Sequence, residues 1–280
     1  MTGPESGAVG AEFLARARGM IVDMDGVLWL GDTPLPGLRG FFSALAARGI
    51  AFVLATNNSS STPESYVRKL ERFGVEAGTD RVLTSAQATA AFLRERFPRG
   101  GRVFLIGGEG LSRALEAAGF SLSEEEAEIV VVGWDRSLTW EKLARASILI
   151  HRGAFFVGAN PDLSYPTPEG PVPGCGAQLK ALEAATGVPP LVVGKPEPAI
   201  YREALRRLGT APGETVMLGD RLDTDIAGAA RLGMASVLVL TGVTGRGDLD
   251  GGAVKPDAVF PDIASLAEAL EALPRRAGKG

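Results

Sequence analysis

Cysteine and histidine are almost absent from this 280-residue chain, which holds one of each, Cys175 and His151. A single thiol cannot close an internal disulfide, and a single imidazole excludes a histidine-rich metal site. Positive charge is not in excess either. The 29 lysines and arginines face 33 aspartates and glutamates, a net charge of −4 that lacks the basic footprint of a nucleic-acid or anionic-membrane binder. No apolar run approaches the ~20 residues of a membrane span. The opening MTGPESGAVGAEFLARARG has no apolar signal-peptide region. These absences set the expectation of a soluble, cytoplasmic protein that engages neither nucleic acid nor membrane. What remains is 45% hydrophobic and 22% charged, a globular composition with chain enough for one large domain or two modest ones.

Short β-rich runs alternate with helical patterns almost throughout, the signature of a mostly parallel sheet with crossover helices. MIVD, IAFVLAT, RVFLIG, EIVVVG, AFFVG, LVVG, TVMLGD and SVLVLTG read as strands. GLRGFFSALAARG, TPESYVRKLERFG, LSRALEAAG, WEKLARASILIHRG, EPAIYREALRRLG, DIAGAARLG and IASLAEALEALP read as helices. In TPESYVRKLERFG, Thr62 suits the cap position and Pro63 the first helical one. The stretch Ile106-Gly107-Gly108-Glu109-Gly110 hints at dinucleotide binding, but Arg113 stands where the fingerprint needs its third glycine, and a plain strand-to-helix turn is the simpler reading.

Polar residues gather directly after four of these strands. Asp23-Met24-Asp25-Gly26 ends the first, placing two carboxylates one residue apart at the end of an apolar run. Thr56-Asn57-Asn58-Ser59 ends another, offering a hydroxyl and amides of the kind that bind an oxyanion. Gly194-Lys195-Pro196 holds an amine on a restricted turn. Gly219-Asp220-Arg221-Leu222-Asp223-Thr224-Asp225 supplies three acids in six positions, more than a helix cap needs. Taken singly, these are an acidic turn, an Asx/Ser turn, a surface lysine and a capped helix. Taken together, they provide carboxylates for a hard divalent cation, donors for phosphate and a compensating positive charge. Ligands in open parallel sheets bind beyond the carboxyl ends of strands. The four segments are therefore expected on one sheet, with the section between about 103 and 158, which lacks acidic strand ends, inserted as a second domain.

DMDGV, ATNNSS, GKPEPAIY and GDRLDTDIAGA, in that order, resemble the four motifs of the haloacid-dehalogenase-type (HAD) phosphatases. DMDGVLWLGD, GGEGL, ANPDLSYPTPEG, PGCGAQLKALEAATG and GKPEP are similar to the NagD/4-nitrophenylphosphatase branch, which includes phosphoglycolate and pyridoxal-phosphate phosphatases. The resemblance runs over about 18–273. It implies an α/β fold: a discontinuous Rossmann-like parallel-sheet core at 15–79 and 189–275, an inserted α/β cap at 80–188 and a flexible tail at 276–280. It also implies a magnesium-dependent phosphatase acting on a small phosphorylated metabolite. The compound would be a phosphoglycolate, a sugar phosphate, a nucleoside monophosphate or 4-nitrophenyl phosphate. A homodimer through the cap is a further expectation.

Under this resemblance Asp23 is the nucleophile and Asp25 the acid and base. Mg2+ falls to Asp23, Asp220 and the backbone carbonyl of Asp25, with Asp225 ordering its waters and Asp223 less critical. Thr56, Asn57, Asn58 and Lys195 frame the phosphoryl group, while Asn160, Asp162 and Tyr165 form the cap's specificity loop. Met24, Trp29 and Phe155 read as core or wall residues. Cys175 stands at a helix start, where a thiol pKa can fall, although an inert cysteine is the plainer reading. The competing class is a phospho-acceptor signalling module, which lacks both an inserted cap and an acid two residues past the acceptor. Another phosphotransferase of the same superfamily is the nearer alternative.

Overall fold

Met20, Ile21 and Val22 are fully buried and, with Gly19, form strand β1 of a computed structural model that describes residues 12–167, 169–249, 251 and 254–274. The expected tail at 276–280 lies outside the described residues. Next along the chain come β2 (Trp29–Leu30), β3 (Thr33–Pro34), β4 (Ala51–Thr56) and β5 (Val82–Thr84). They are followed by β6 (Arg102–Ile106), β7 (Ser121–Leu122), β8 (Ile129–Val132) and β9 (Phe155–Gly158). A hairpin, β10 (Ser164–Thr167) and β11 (Gly170–Pro173), precedes β12 (Leu191–Val192). The last three are β13 (Thr215–Gly219), β14 (Ala235–Val239) and β15 (Ala258–Phe260). No helix among the described residues is long and apolar enough to cross a membrane.

The chain divides into two compact units, one of Met1–Ala55, Val67–Val82 and Ala204–Gly280, the other of Thr56–Tyr66 and Leu83–Glu203. The first is built on a sheet ordered β15-β14-β13-β1-β4-β5. β1 lies parallel between β13 and β4, with Val22 opposite both Leu218 and Leu54. A central strand of a parallel sheet is covered on both faces, which is why MIV is apolar without alternation. Helices Leu38–Ala47 and Ile263–Ala272 pack on each other. Gly37, at φ 82°, permits the approach, since a side chain there would run into Ala264. Arg48 then covers the end of the second helix, donating to the carbonyls of Leu270 at 3.2 Å and Leu273 at 2.9 Å.

The second unit carries a five-stranded sheet ordered β12-β9-β8-β6-β7, all neighbours parallel. Phe104, Ile106, Val130, Val132, Phe156, Leu179 and Leu182 form its core against helices Trp140–His151 and Cys175–Thr186.

The structure departs from the sequence reading at two places. β12, the strand that leads to Lys195, was expected in the sheet of β1, β4 and β13, but it pairs with β9, Leu191 facing Val157 and Val192 facing Gly158. A two-residue strand carries no periodicity to say which sheet it joins. Helix Ser85–Arg96 also went unpredicted. Its buried positions include Ser85, Ala86, Ala88, Thr89, Ala90 and Leu93, so small residues blur the apolar stripe. Its start is nonetheless well specified: Thr84 Oγ1 accepts from Gln87 N at 3.3 Å and Gln87 Oε1 accepts from Thr84 N at 3.1 Å, a reciprocal capping box. Thr84→Ala is expected to destabilise the protein by about 1 kcal/mol, read as a lower urea midpoint with an unchanged slope.

Candidate active site

β1 and β13 end side by side, and the amide of Asp23 extends their ladder by donating to Leu218 O at 2.8 Å. The side chains of Asp23 and Asp220 therefore leave adjacent strands at the same edge of the sheet. Asp220 is 2% exposed and Asp225 fully buried. One carboxylate oxygen from each of Asp23, Asp220 and Asp225 can be chosen such that all lie within 4.8 Å of one another. Three anions so close and so buried repel strongly unless a cation is held among them. All the ligand atoms are hard oxygens, the donor set that suits magnesium or calcium rather than a soft metal.

Backbone contacts set the orientation of these acids. Asp220 Oδ2 accepts from Val243 N at 2.7 Å, and Thr244 N donates to Asp220 O at 3.1 Å. A side chain at Gly242 would run into the Asp220 carboxylate, and one at Gly26 (φ 86°) would begin 2.8 Å from its Cγ. The segment expected as a single helix at DIAGAARLG opens instead with a π turn, Leu222–Ile226, before the α-helix Ala227–Arg231. The wider turn carries Thr224, Asp225 and Ile226 inward. Asp225 Oδ2 accepts from Arg221 N at 3.2 Å. Asp223, by contrast, points outward and takes a two-pronged contact from Arg221, at 3.0 and 2.8 Å. That guanidinium holds the Asp223 carboxyl below its usual range. Of the three acids in the fourth segment, two face the buried cluster.

Asp25 is exposed and lies on a tight turn closed by Gly26 N donating to Trp29 O at 2.8 Å. Its Oδ1 accepts from the Trp29 indole at 2.9 Å. Trp29 is fully buried, as expected of a wall residue, yet it also directs this carboxylate. Lys69 Nζ lies 4.4 Å above the Trp29 ring and donates to Gly31 O at 2.6 Å. Burial lowers the Lys69 pKa against the opposing pull of Asp25 and Asp32. Sequence reasoning missed both contacts. The four-residue spacing of Asp25 and Trp29 across a glycine turn was the available signal.

In the second unit, Asn57, Asn160, Asp162 and Lys195 form one hydrogen-bonded network, with the Thr56 turn beside it. Thr56 Oγ1 accepts from Asn58 N at 3.1 Å, and Asn58 Oδ1 accepts from Ser60 N at 2.9 Å, so this loop is a chain of side-chain-closed turns. Asn57 Oδ1 accepts from Lys195 N at 2.8 Å, and Asn57 Nδ2 donates to Lys195 O at 3.0 Å. Asn160, 4% exposed, donates through Nδ2 to Asn57 O at 2.7 Å. Asp162 Oδ1 accepts from Asn57 Nδ2 at 3.3 Å. Lys195 is 3% exposed. Tyr165, on β10, stacks on Trp134 with ring centroids 4.4 Å apart.

The remaining sequence candidates acquire structural roles. A side chain at Gly110 would begin 2.5 Å from Ser61 O and 2.9 Å from Ser59 O, so the glycine of GGEG lets a helix start press on the Thr56–Ser61 loop. The β8 end does carry an acid after all. Asp135 is 5% exposed and contacts Lys142 Nζ at 2.7 Å. Burial raises its pKa, but hydrogen bonds from Lys142 and Ser137 outweigh that and keep it below the usual range. Cys175 is buried in the core, and burial pushes its thiol up to about 12 despite its place at a helix start.

Comparison with known proteins agrees with this geometry. Residues 20–121 match the family model described as haloacid dehalogenase-like hydrolase, and residues 192–266 match a second described as HAD-hydrolase-like. The acid sugar phosphatase of Staphylococcus aureus is 38% identical over 255 residues, covering 91% of this chain and 98% of that one. The crystal structure of a 4-nitrophenylphosphatase from Thermotoga maritima superposes with a TM-score of 0.89 at 40% identity, over 92% of this chain and 99% of the other. NagD from Escherichia coli K-12 gives 0.83 at 33% identity, over 89% and 97%.

The raised Cys175 pKa makes a direct prediction. At about pH 8, near the usual thiol pKa, an aromatic disulfide reagent is expected to leave the native protein unlabelled and to react with one thiol per chain once urea is added. Rapid labelling of the native protein would show an accessible thiolate.

Proposed function

Since this chain belongs to the haloacid dehalogenase-like hydrolases, in the branch of NagD and the 4-nitrophenylphosphatases, we propose that it hydrolyses small phosphate monoesters through an aspartyl-phosphate on Asp23. The observation that carries this reading is the buried convergence of Asp23, Asp220 and Asp225 at the ends of two adjacent parallel strands. Magnesium fits that all-oxygen set. Asp23 and Asp220, with the backbone carbonyl of Asp25, would hold it, and Asp225 would orient its waters. When bound, it neutralises the negative charge that carboxylates and phosphate would otherwise bring together.

In the first half-reaction an Asp23 carboxylate oxygen bonds to phosphorus as the ester P–O bond breaks, and Asp25 gives a proton to the departing alkoxide. In the second, Asp25 takes a proton from water as that water attacks phosphorus. The aspartyl P–O bond breaks, releasing inorganic phosphate and restoring Asp23. The contrast between buried Asp23 and exposed Asp25 suits a nucleophile beside a proton carrier. Thr56 and the loop of Asn57 and Asn58 frame the phosphoryl oxygens, and the Lys195 ammonium balances their charge. Asn160, Asp162 and Tyr165 belong to the loop that meets the leaving group, within a cap at 80–188. The names of the relatives favour a sugar phosphate as the metabolite, with 4-nitrophenyl phosphate as the convenient probe. We further assign the enzyme to the cytoplasm, as a homodimer through the cap.

Asp23→Asn is expected to lower phosphate release by a factor of roughly 10³ or more. Chelation should abolish turnover of the parent protein, and added magnesium should restore it. An Asp23→Asn variant as fast as the parent would reject the nucleophile. In kcat/KM, which reports the first half-reaction and not the base-assisted second one, Asp25→Asn should slow a sugar phosphate far more than 4-nitrophenyl phosphate, whose nitrophenolate leaves without a proton. Equal losses of kcat/KM on the two substrates would remove the acid role from Asp25.

A further inference from the structure

Asn57 commits its side chain to protein. The amide has two N–H protons, and both have acceptors: Lys195 O at 3.0 Å and Asp162 Oδ1 at 3.3 Å. Its oxygen receives Lys195 N at 2.8 Å. The backbone N–H of Lys195 can only donate and its carbonyl only accept, so the orientation of the amide is fixed by its partners. One planar group thus grips the two peptide groups that flank a single Cα, that of Lys195.

The grip is itself braced. Asn57 O accepts from Asn160 Nδ2 at 2.7 Å and from Ser85 Oγ at 2.6 Å. Gly194 leaves room for it: a Cβ there would lie 2.6 Å from Ala159 O, 2.7 Å from Asn57 Oδ1 and 2.9 Å from Asn160 Cβ. Holding the Cα restricts where the buried Lys195 side chain can carry its ammonium.

We propose that Asn57 is a positioning residue for Lys195, clasping its backbone so that the ammonium meets the phosphoryl group, and that its side chain does not bind phosphate. The acid and the amide of the recognition loop, Asp162 and Asn160, support the clasp instead of contacting only the leaving group. This inference rests on the reading of Lys195 as the cation of the phosphate site.

The test is a double-mutant cycle on the magnesium-loaded protein, with 4-nitrophenyl phosphate as substrate. Asn57→Ala is expected to lower kcat about 10²-fold, the scale of an ångström-sized misplacement, with KM changed less than about threefold. In the Lys195→Ala background the same change should cost no more than about threefold, because there is no ammonium left to misplace. Losses that multiply in the double variant would overturn the clasp and make Asn57 a phosphate ligand in its own right. Gly194→Ala attacks the same contact from the opposite side and carries the test should Asn57→Ala melt early. Its loss should likewise vanish without Lys195, and a loss that persists there would overturn the proposal. Lys195→Ala alone checks the underlying reading. Parental turnover in that variant rejects Lys195 as the phosphate cation, whereas a large effect with multiplying losses rejects only the clasp.

Discussion

Three buried carboxylates within a few ångströms of one another are the constraint on which the rest of the catalytic reading depends. When ionised, they repel one another wherever no cation offsets their charge, so the cluster could hold a metal ion. Parallel pairing produces it almost for free. When β1 and β13 run in the same direction, Val22 beside Leu218, Asp23 and Asp220 follow their strand ends on the same side of the sheet. A π turn then adds Asp225 from the following segment, and glycines at 26 and 242 make room for the Asp220 carboxylate.

The second unit shows a different use of polar groups. Thr56, Asn57, Asn58, Asn160 and Asp162 could each be imagined pointing at substrate, but Asn57, Asn160 and Asp162 join three stretches of chain, while Thr56 and Asn58 close turns within one of them. Amide side chains hydrogen-bonded to backbone in this way hold the chain in place, and positioning is what phosphoryl transfer demands of its surroundings. Carboxylates cluster in one unit. In the other, an amide side chain holds the Lys195 backbone.

Much of the parallel sheet was legible because its strands are short apolar runs stopped by glycine or aspartate, and because chemistry-bearing residues sit directly after them. Asp23, Asp220 and Asp225 could be picked out on those grounds, and they do converge. The hairpin of β10 and β11 was not legible. Its prolines at 166, 171 and 173 argue against a strand, and a two-stranded ribbon, in which both strands are edges, tolerates them. Helix Ser85–Arg96 hid behind alanines, and Trp29 looked like filler until its indole was seen on Asp25.

Local order in the sequence thus determined the strand–helix alternation, the acids at the strand ends and the family to which the chain belongs. Those properties depend on residue type and near-neighbour spacing, which the chain carries openly. Only the tertiary structure decided that β12 joins β9, that Asp223 turns away while Asp225 turns in, and that Asn57 holds the Lys195 backbone. Each of these outcomes is a choice between partners far apart along the chain or between two directions of one turn. Such choices are made by packing and hydrogen-bond geometry, not by composition.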